Sequence, residues 1–250
     1  MAQALLIAFC GGLVIGSFVT VVGYRVPRGE SIVGPRSRCT TCGAQIAAYD
    51  NIPVFSWVVL RGRSRCCGDR ISLRYPLTEL ALGALYVMTV AVLWGDATEV
   101  ALGLVFVTTL LAITLTDLDR RVIPNKVLLA AAAAGAVIVA VGDPGSLPER
   151  AIAAAAAGGG LFLVALAYPR GMGLGDVKLA AVMGLYLGRN VAPALFVALL
   201  AGSVVGLALI ARYGAEARKR TIPFGPFLAF GGVVALLMGN QLVDWYLSTF

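Results

Sequence analysis

The sequence predicts an all-α, polytopic membrane protein of about eight transmembrane helices, with one loop domain rich in arginine and cysteine. Three observations predict it. Hydrophobic residues make up 59% of the 250 positions and charged residues only 13%, against about a quarter charged in an ordinary soluble domain. Mean hydropathy is +0.88, and apolar runs recur near the roughly 20 residues that cross a bilayer. Polar turns separate those runs, and lysine and arginine gather in alternate turns, as the positive-inside rule requires.

The first span runs from about Ala4 to Tyr24; it is apolar from the start without a basic leading segment, so no cleavable leader is expected. Its small residues Gly11, Gly12, Gly16 and Ser17 suit close approach of another helix. Arg25 to Arg74 is the one long polar segment. It carries nine arginines against Glu30, Asp50 and Asp69, together with four of the five cysteines. Such a loop is expected in the cytoplasm, with the amino terminus outside. Leu73–Trp94 is the second span, with Glu79 near its start, and the acidic link Gly95–Glu99 follows outside. The third span, Val100–Thr116, ends at Asp117, and Arg120, Arg121 and Lys126 mark an inside turn. Val127–Val141 is the fourth span, a Gly/Pro link leads out to Arg150, and Ala151–Tyr168 is the fifth. Pro169, Arg170 and a glycine run return inside. A short sixth span covers Val177–Leu187, Gly188–Asn190 turns outside, and Val191–Ala211 is the seventh. Arg212–Arg220 forms a basic inside loop, and the eighth span covers Phe224–Leu247, with Asp244, Trp245 and Tyr246 at the outer interface.

Of 20 lysines and arginines, all but Arg150 and Arg189 fall on the inside by this assignment. Both termini are then outside, and Asp117 and Asp176 sit at cytoplasmic helix ends at similar depth. The net charge of +7 is thus read as a basic membrane face, and no nucleic-acid partner is expected. The alanine-rich stretches 130–134 and 153–157 permit tight helix contact and carry no functional signal.

The chain has no histidine. Ser-His-Asp and Cys-His nucleophilic sites are excluded, as is the HExxH zinc-protease helix. Hydrolysis would have to run on carboxylates, on lysine or on a cysteine-held metal. An acid at a membrane edge is expensive and marks a functional candidate. Asp176 lies in Gly171-Met172-Gly173-Leu174-Gly175-Asp176-Val177-Lys178, and Asp117 in Thr116-Asp117-Leu118-Asp119-Arg120-Arg121-Val122-Ile123-Pro124-Asn125. Two aspartates at contact distance share one proton near neutral pH, so the ionised member can activate water while the protonated member donates to a carbonyl. Gly171, Gly173 and Gly175 are expected to admit a substrate backbone and to allow unusual dihedrals beside Asp176. Pro124 fixes the chain after Asp117 and starts the next helix. Other readings stay open here: Asp117 paired with Arg120 or Arg121, Asp119 in its place, and Lys178 as a tuning group or, preferred, a headgroup anchor.

The ordered motifs carry a resemblance. Gly16-Ser17-Phe18, Tyr24-Arg25-Val26-Pro27-Arg28-Gly29-Glu30-Ser31, Tyr49-Asp50-Asn51-Ile52-Pro53-Val54, Arg74-Tyr75-Pro76-Leu77, the Asp117–Pro124 stretch and Gly173-Leu174-Gly175-Asp176-Val177-Lys178-Leu179 together cover most of the chain. In these the chain resembles the type IV prepilin peptidases, GxGD-type aspartic peptidases that cleave prepilin leaders and N-methylate the new amino terminus. The resemblance implies Asp117 and Asp176 as the catalytic pair, with Gly173, Gly175 and Lys178 in support. It implies prepilin or pseudopilin substrates cut on the cytoplasmic side of the bacterial inner membrane, and S-adenosylmethionine as methyl donor. It divides the chain into a first helix (1–24), a cytoplasmic cysteine loop tied to methylation (25–74) and a peptidase bundle in lipid (75–250).

Cys39-Thr40-Thr41-Cys42 is a CxxC, whereas Leu60-Arg61-Gly62-Arg63 is followed by Ser64-Arg65-Cys66-Cys67. Full family members usually show a second CxxC there. Ser64 therefore stands where a cysteine would, and Cys66 is an added thiol. Four thiolates hold structural zinc tetrahedrally, and a cytoplasmic loop favours metal or free thiols over a disulfide. Adjacent Cys66 and Cys67 are awkward ligands of one ion. The expected set is Cys39, Cys42 and Cys67, with Cys66 as an optional fourth; the alternative is a reduced loop without metal. Cys10 reads as a lipid-facing or packing residue. Thr20 is a second departure, at a position where many members carry asparagine. Both departures bear on methylation more than on cleavage, so a peptidase without methylation is one alternative. A carboxylate-coupled transporter is another, but it would set its acids near the midplane and show inverted repeats.

Overall fold

A computed structural model describes residues 1–34, 36–169, 171–214 and 222–249. Arg170, the expected basic run Arg218–Arg220 and the side chain of Tyr246 lie outside the described residues. The chain forms two compact units, Met1–Val92 and Leu93–Phe250.

The first unit holds α1 (Ala2–Arg25), the short α2 (Phe55–Val59) and α3 (Arg74–Val92). α1 and α3 pack backbone to backbone. A Cβ on Gly12 would lie 2.7 Å from Gly83 Cα, and one on Gly16 would lie 2.8 Å from Glu79 Cα. These two glycines, one turn apart, are what lets lipid-facing helices with no hydrophobic drive between them make dense contact. Gly11 faces open space and takes no part. Between the helices the polar loop is ordered by short-range bonds: Trp57 Nε1 donates to the Ile71 carbonyl at 3.1 Å, and Ser56 Oγ to that of Tyr49 at 2.8 Å.

The second unit holds α4 (Ala97–Arg120), α5 (Asn125–Gly142), α6 (Leu147–Ala167), α7 (Leu174–Leu187), α8 (Val191–Tyr213) and α9 (Gly225–Thr249). Leaving α2 aside, the helices follow the predicted spans in order. Among the described residues seven segments are long and apolar enough to cross a membrane, because Leu174–Tyr213 counts as one stretch of 40 residues. The number eight is accordingly approximate. α7 alone has 14 residues, about 21 Å at the helical rise, against a hydrocarbon core of about 30 Å.

That short helix is the centre of the unit. Leu179, Ala180 and Met183 are fully buried. The Tyr186 ring stacks on Phe106 at 5.2 Å and fills the space left by Gly135, and its hydroxyl donates to the Ala131 carbonyl at 2.6 Å. Ala153 and Ala157 of α6 are buried, and Gly184 of α7 lies against the backbone of Ala154, so this alanine run serves as a packing surface. The last carbonyls of a helix need donors. Buried Arg150 supplies them, its guanidinium reaching the carbonyls of Tyr186 (2.6 Å) and Leu185 (3.4 Å) while pairing with Glu99.

Candidate active site and cysteine cluster

Asp117 lies one turn before the end of α4. Arg121 stops that helix in the left-handed region (φ 53°, ψ 42°), its amide donating to the Asp117 carbonyl at 2.9 Å. The carboxyl group of Asp117 is buried, the residue being 5% exposed. Its Oδ2 accepts from the Gly225 amide at 2.9 Å. Gly225 is the first residue of α9, so this amide is one of the donors a helix start leaves without an intrahelical partner. A Cβ on Gly225 would stand 2.7 Å from the same carboxylate oxygen. Glycine is needed here for close approach.

Asp176 is the third residue of α7, and its Oδ2 reaches back to the amide of the N-cap, Gly173, at 3.2 Å. An acid in the first turn also meets the positive end of the helix dipole. Asp176 is buried as well. The glycines around it lack the unusual dihedrals that were expected. Gly173 has ordinary extended dihedrals (φ −81°, ψ 146°), and neither Gly171 nor Gly175 has positive φ. Gly175 instead leaves room for Ile123, whose Cβ would lie 3.0 Å from an added Cβ. This fastens the start of α7 onto the turn that follows Asp117.

α4, α7 and α9 pack on one another in this unit, and the charge of Asp117 bears on Asp176. The fold thus brings the two acids to one end of the helical unit, each held through Oδ2 by a glycine amide. Asp119 is exposed. The hydrogen-bond partner of Asp117 is Gly225, with Arg121 contributing charge at longer range. Lys178 donates to Asn125 Oδ1 at 3.0 Å and so ties α7 to the start of α5. Gly225 is not among the residues the sequence singles out; it falls within the expected span Phe224–Leu247. A glycine set directly before a proline at a helix start was the available signal.

In the first unit the loop builds two matching knuckles. The amide of Cys39 donates to the Ala44 carbonyl (2.8 Å) and that of Gly43 to the Cys39 carbonyl (2.9 Å). Likewise the amide of Ser64 donates to the Asp69 carbonyl (2.8 Å) and that of Gly68 to the Ser64 carbonyl (2.9 Å). Gly43 and Gly68 take the left-handed turn at φ 73° and 72°, and each knuckle closes on a single bridge, Arg38 with Gln45 and Arg63 with Arg70. Ser64 thus occupies the place that Cys39 holds in the first knuckle. Its Oγ lies 3.1 Å from Cys67 Sγ.

The sulfurs of Cys39, Cys42, Cys66 and Cys67 all lie within 4.8 Å of one another. Separations are 3.6 Å for Cys39–Cys67, 3.3 Å for Cys42–Cys66 and 4.0 Å for Cys66–Cys67. A tetrahedral zinc with four thiolates requires about 3.8 Å between sulfurs, so the donor set fits. The adjacency of Cys66 and Cys67, expected to be awkward, is resolved by the turn, which sends both sulfurs to one point. Without metal the thiols divide unequally. Amides of Cys42 and Thr41 pull the Cys39 thiol down to about 6, whereas hydrogen bonding to Cys42 pushes Cys66 up to about 12. Cys10 is exposed on α1.

Comparison with known proteins follows the same division. Residues 10–93 match the family model described as Bacterial Peptidase A24 N-terminal domain, and residues 104–211 match that of the Type IV leader peptidase family. The chain is 36% identical to a prepilin leader peptidase/N-methyltransferase of Aeromonas hydrophila, covering 98% of this chain and 94% of that protein. It is 34% identical to one from Pseudomonas putida, covering 92% and 89%, and 32% identical to one from Bacillus subtilis (strain 168), covering 97% of each. No solved structure matches. With this agreement over nearly its whole length, the chain belongs to the type IV leader peptidase family.

Proposed function

We propose that this protein is a membrane aspartic endopeptidase that removes the basic leader from type IV prepilin-like proteins and then N-methylates the exposed amino terminus. The observation that carries the reading is the placing of Asp117 and Asp176 at one end of the second unit, within reach of each other's charge, from helices far apart in sequence. In the proposed reaction the pair holds one proton. The ionised carboxylate takes a proton from water, whose oxygen attacks the scissile carbonyl, while the protonated carboxyl donates to the carbonyl oxygen. Collapse of the tetrahedral intermediate breaks the C–N bond, and the leaving nitrogen takes up a proton from the pair. The amides of Gly225 and Gly173 hold one oxygen of each acid and so aim the other at water and substrate. Gly173, Gly175 and Lys178 are supporting residues that position α7.

The methyl group is assigned to S-adenosylmethionine, and the second activity to the segment 25–74 with its cysteine knuckles. Zinc in Cys39, Cys42, Cys66 and Cys67 would have a structural role, locking that segment. The active site is placed at the cytoplasmic face of the bacterial inner membrane on the charge pattern of the turns. Mass spectrometry of a prepilin co-expressed with the protein tests both activities together. A trimmed and singly methylated product supports the full reading; a trimmed, unmethylated product supports a peptidase alone; an intact prepilin contradicts it.

A further inference from the structure

The two acids of the second unit leave one buried carboxylate of the first without a task. Glu79 of α3 is 6% exposed and lines a cavity of about 1490 Å³ bounded by α1, α3 and the polar loop. Three other acids line the same cavity. Asp50 pairs with Arg65 at 2.9 Å, Asp69 accepts from the Thr41 hydroxyl, and Glu30 is exposed. Glu79 differs from all three. Its partners are the Val54 amide, at 2.7 Å to Oε2, and the Ser17 hydroxyl, both neutral. A buried carboxylate met only by dipoles is expensive and suits a cation brought by a ligand.

The segment it holds is itself strained. Val54 has φ 60° and ψ −50°, a conformation that β-branched residues avoid. Backbone strain of this kind persists where surrounding contacts enforce it, and it gathers at ligand sites. Two bonds meet at this residue: the Phe55 amide donates to the Pro53 carbonyl across Val54, and the Val54 amide donates to Glu79. The motif Tyr49–Val54, unused by the peptidase reading, is thereby pinned to the cavity, which Tyr49 and Trp57 also line.

We infer that this cavity takes the methyl donor, a nucleoside sulfonium, and that Glu79 is the binding residue for its cationic sulfur end. The inference rests on the N-methylation reading above. A carboxylate suits the sulfonium better than it suits the amine to be methylated. The sulfonium has no proton to lose, whereas a carboxylate paired to the substrate amine would favour its ammonium form, which is no nucleophile. Arg65 lies over the Tyr49 ring at 5.6 Å and Gly62 packs on the Trp57 ring, and the remaining face of each ring adds attraction for a cation and a surface for the base. The cavity exceeds the few hundred Å³ that a ligand of this size fills, which leaves room for the amino terminus of the substrate.

The test is direct binding to the full-length protein in detergent, by calorimetry, of two probes: S-adenosylmethionine and its demethylated, uncharged-sulfur counterpart S-adenosylhomocysteine. Glu79→Gln keeps an acceptor for the Val54 amide and the Ser17 hydroxyl but removes the charge. The expected result is roughly a tenfold or greater weakening of the sulfonium probe with the thioether probe changed far less, and an unaltered thermal transition. Equal binding of the sulfonium probe by wild type and Glu79→Gln overturns the assignment, as does an equal loss of both probes. Tyr49→Ala, in which the carboxylate remains, is expected to weaken both probes together; unchanged binding of both would remove the cavity from consideration. If wild type binds the donor and methylates prepilin while Glu79→Gln does the same, only the site is wrong. If wild type neither binds the donor nor methylates, the methylation reading fails with it.

Discussion

The amide of Gly225 donates to Oδ2 of Asp117 at 2.9 Å, joining residues 108 positions apart. The first residue of α9 therefore fixes an acid at the last turn of α4, and the absence of a side chain at Gly225 is what allows the approach.

Gly225→Ala places a methyl group within 2.7 Å of that oxygen. Forced overpacking costs about 1–3 kcal/mol, and if the cost falls on the geometry of the pair, cleavage slows by roughly ten- to a hundredfold. Methylation of a substrate already lacking its leader should be unchanged. Leader cleavage and methylation measured separately on the same preparation check this.

The cysteine cluster gives a prediction with a built-in rescue. One zinc per chain is expected by elemental analysis, and Cys66→Ser is expected to lose it. Because Ser64 occupies the knuckle position of Cys39, Ser64→Cys in the Cys66→Ser background should restore zinc by re-forming a CxxC. Failure of the double variant to bind metal would show that the two knuckles are not equivalent.

Chelated protein should expose a pH dependence in the same cluster. The Cys39 thiol, lowered to about 6 by backbone amides, is a thiolate above that pH and is lost as a nucleophile below it. Cys66, raised to about 12, stays protonated throughout the neutral range. Alkylation mapped by mass spectrometry should therefore label Cys39 first, with a midpoint near pH 6, and Cys66 last. Addition of zinc should protect all four. Equal rates at Cys39 and Cys66 would contradict the unequal division.

Arg150 supplies a prediction far from the acids. Arg150→Met removes the donors to the last carbonyls of α7 and leaves Glu99 without its partner. Breaking a pair that is buried on the arginine side should cost about 3 kcal/mol. Thermal unfolding in detergent should register the loss, and Glu99→Gln combined with Arg150→Met should recover part of it, since no half-buried charge is then left without its partner.

Much of this architecture was legible in the sequence. Hydropathy placed every long helix in order, because in lipid that signal is imposed by the solvent. Asp117 and Asp176 stood out because an acid in such a setting is costly. What the sequence withheld were contacts between distant segments. The Gly225-Pro226 pair marks a helix start but not a partner for Asp117, and nothing local marks Val54 as that of Glu79, because each partner is a backbone amide and any residue but proline has one. The glycines near Asp176 were read for dihedral freedom, but Gly175 works by letting Ile123 approach. Cys66 looked misplaced by spacing alone; the second knuckle turns its sulfur back toward Cys42.

The central claim is that Asp117 and Asp176 are a single catalytic unit. Its most direct measurement is mass spectrometry of a purified prepilin incubated with wild type, Asp117→Asn and Asp176→Asn, each shown to be inserted and folded. The account predicts complete leader removal by wild type and none by either variant, with donor binding to the first unit retained in both. Leader removal at the wild-type rate by either variant would contradict it.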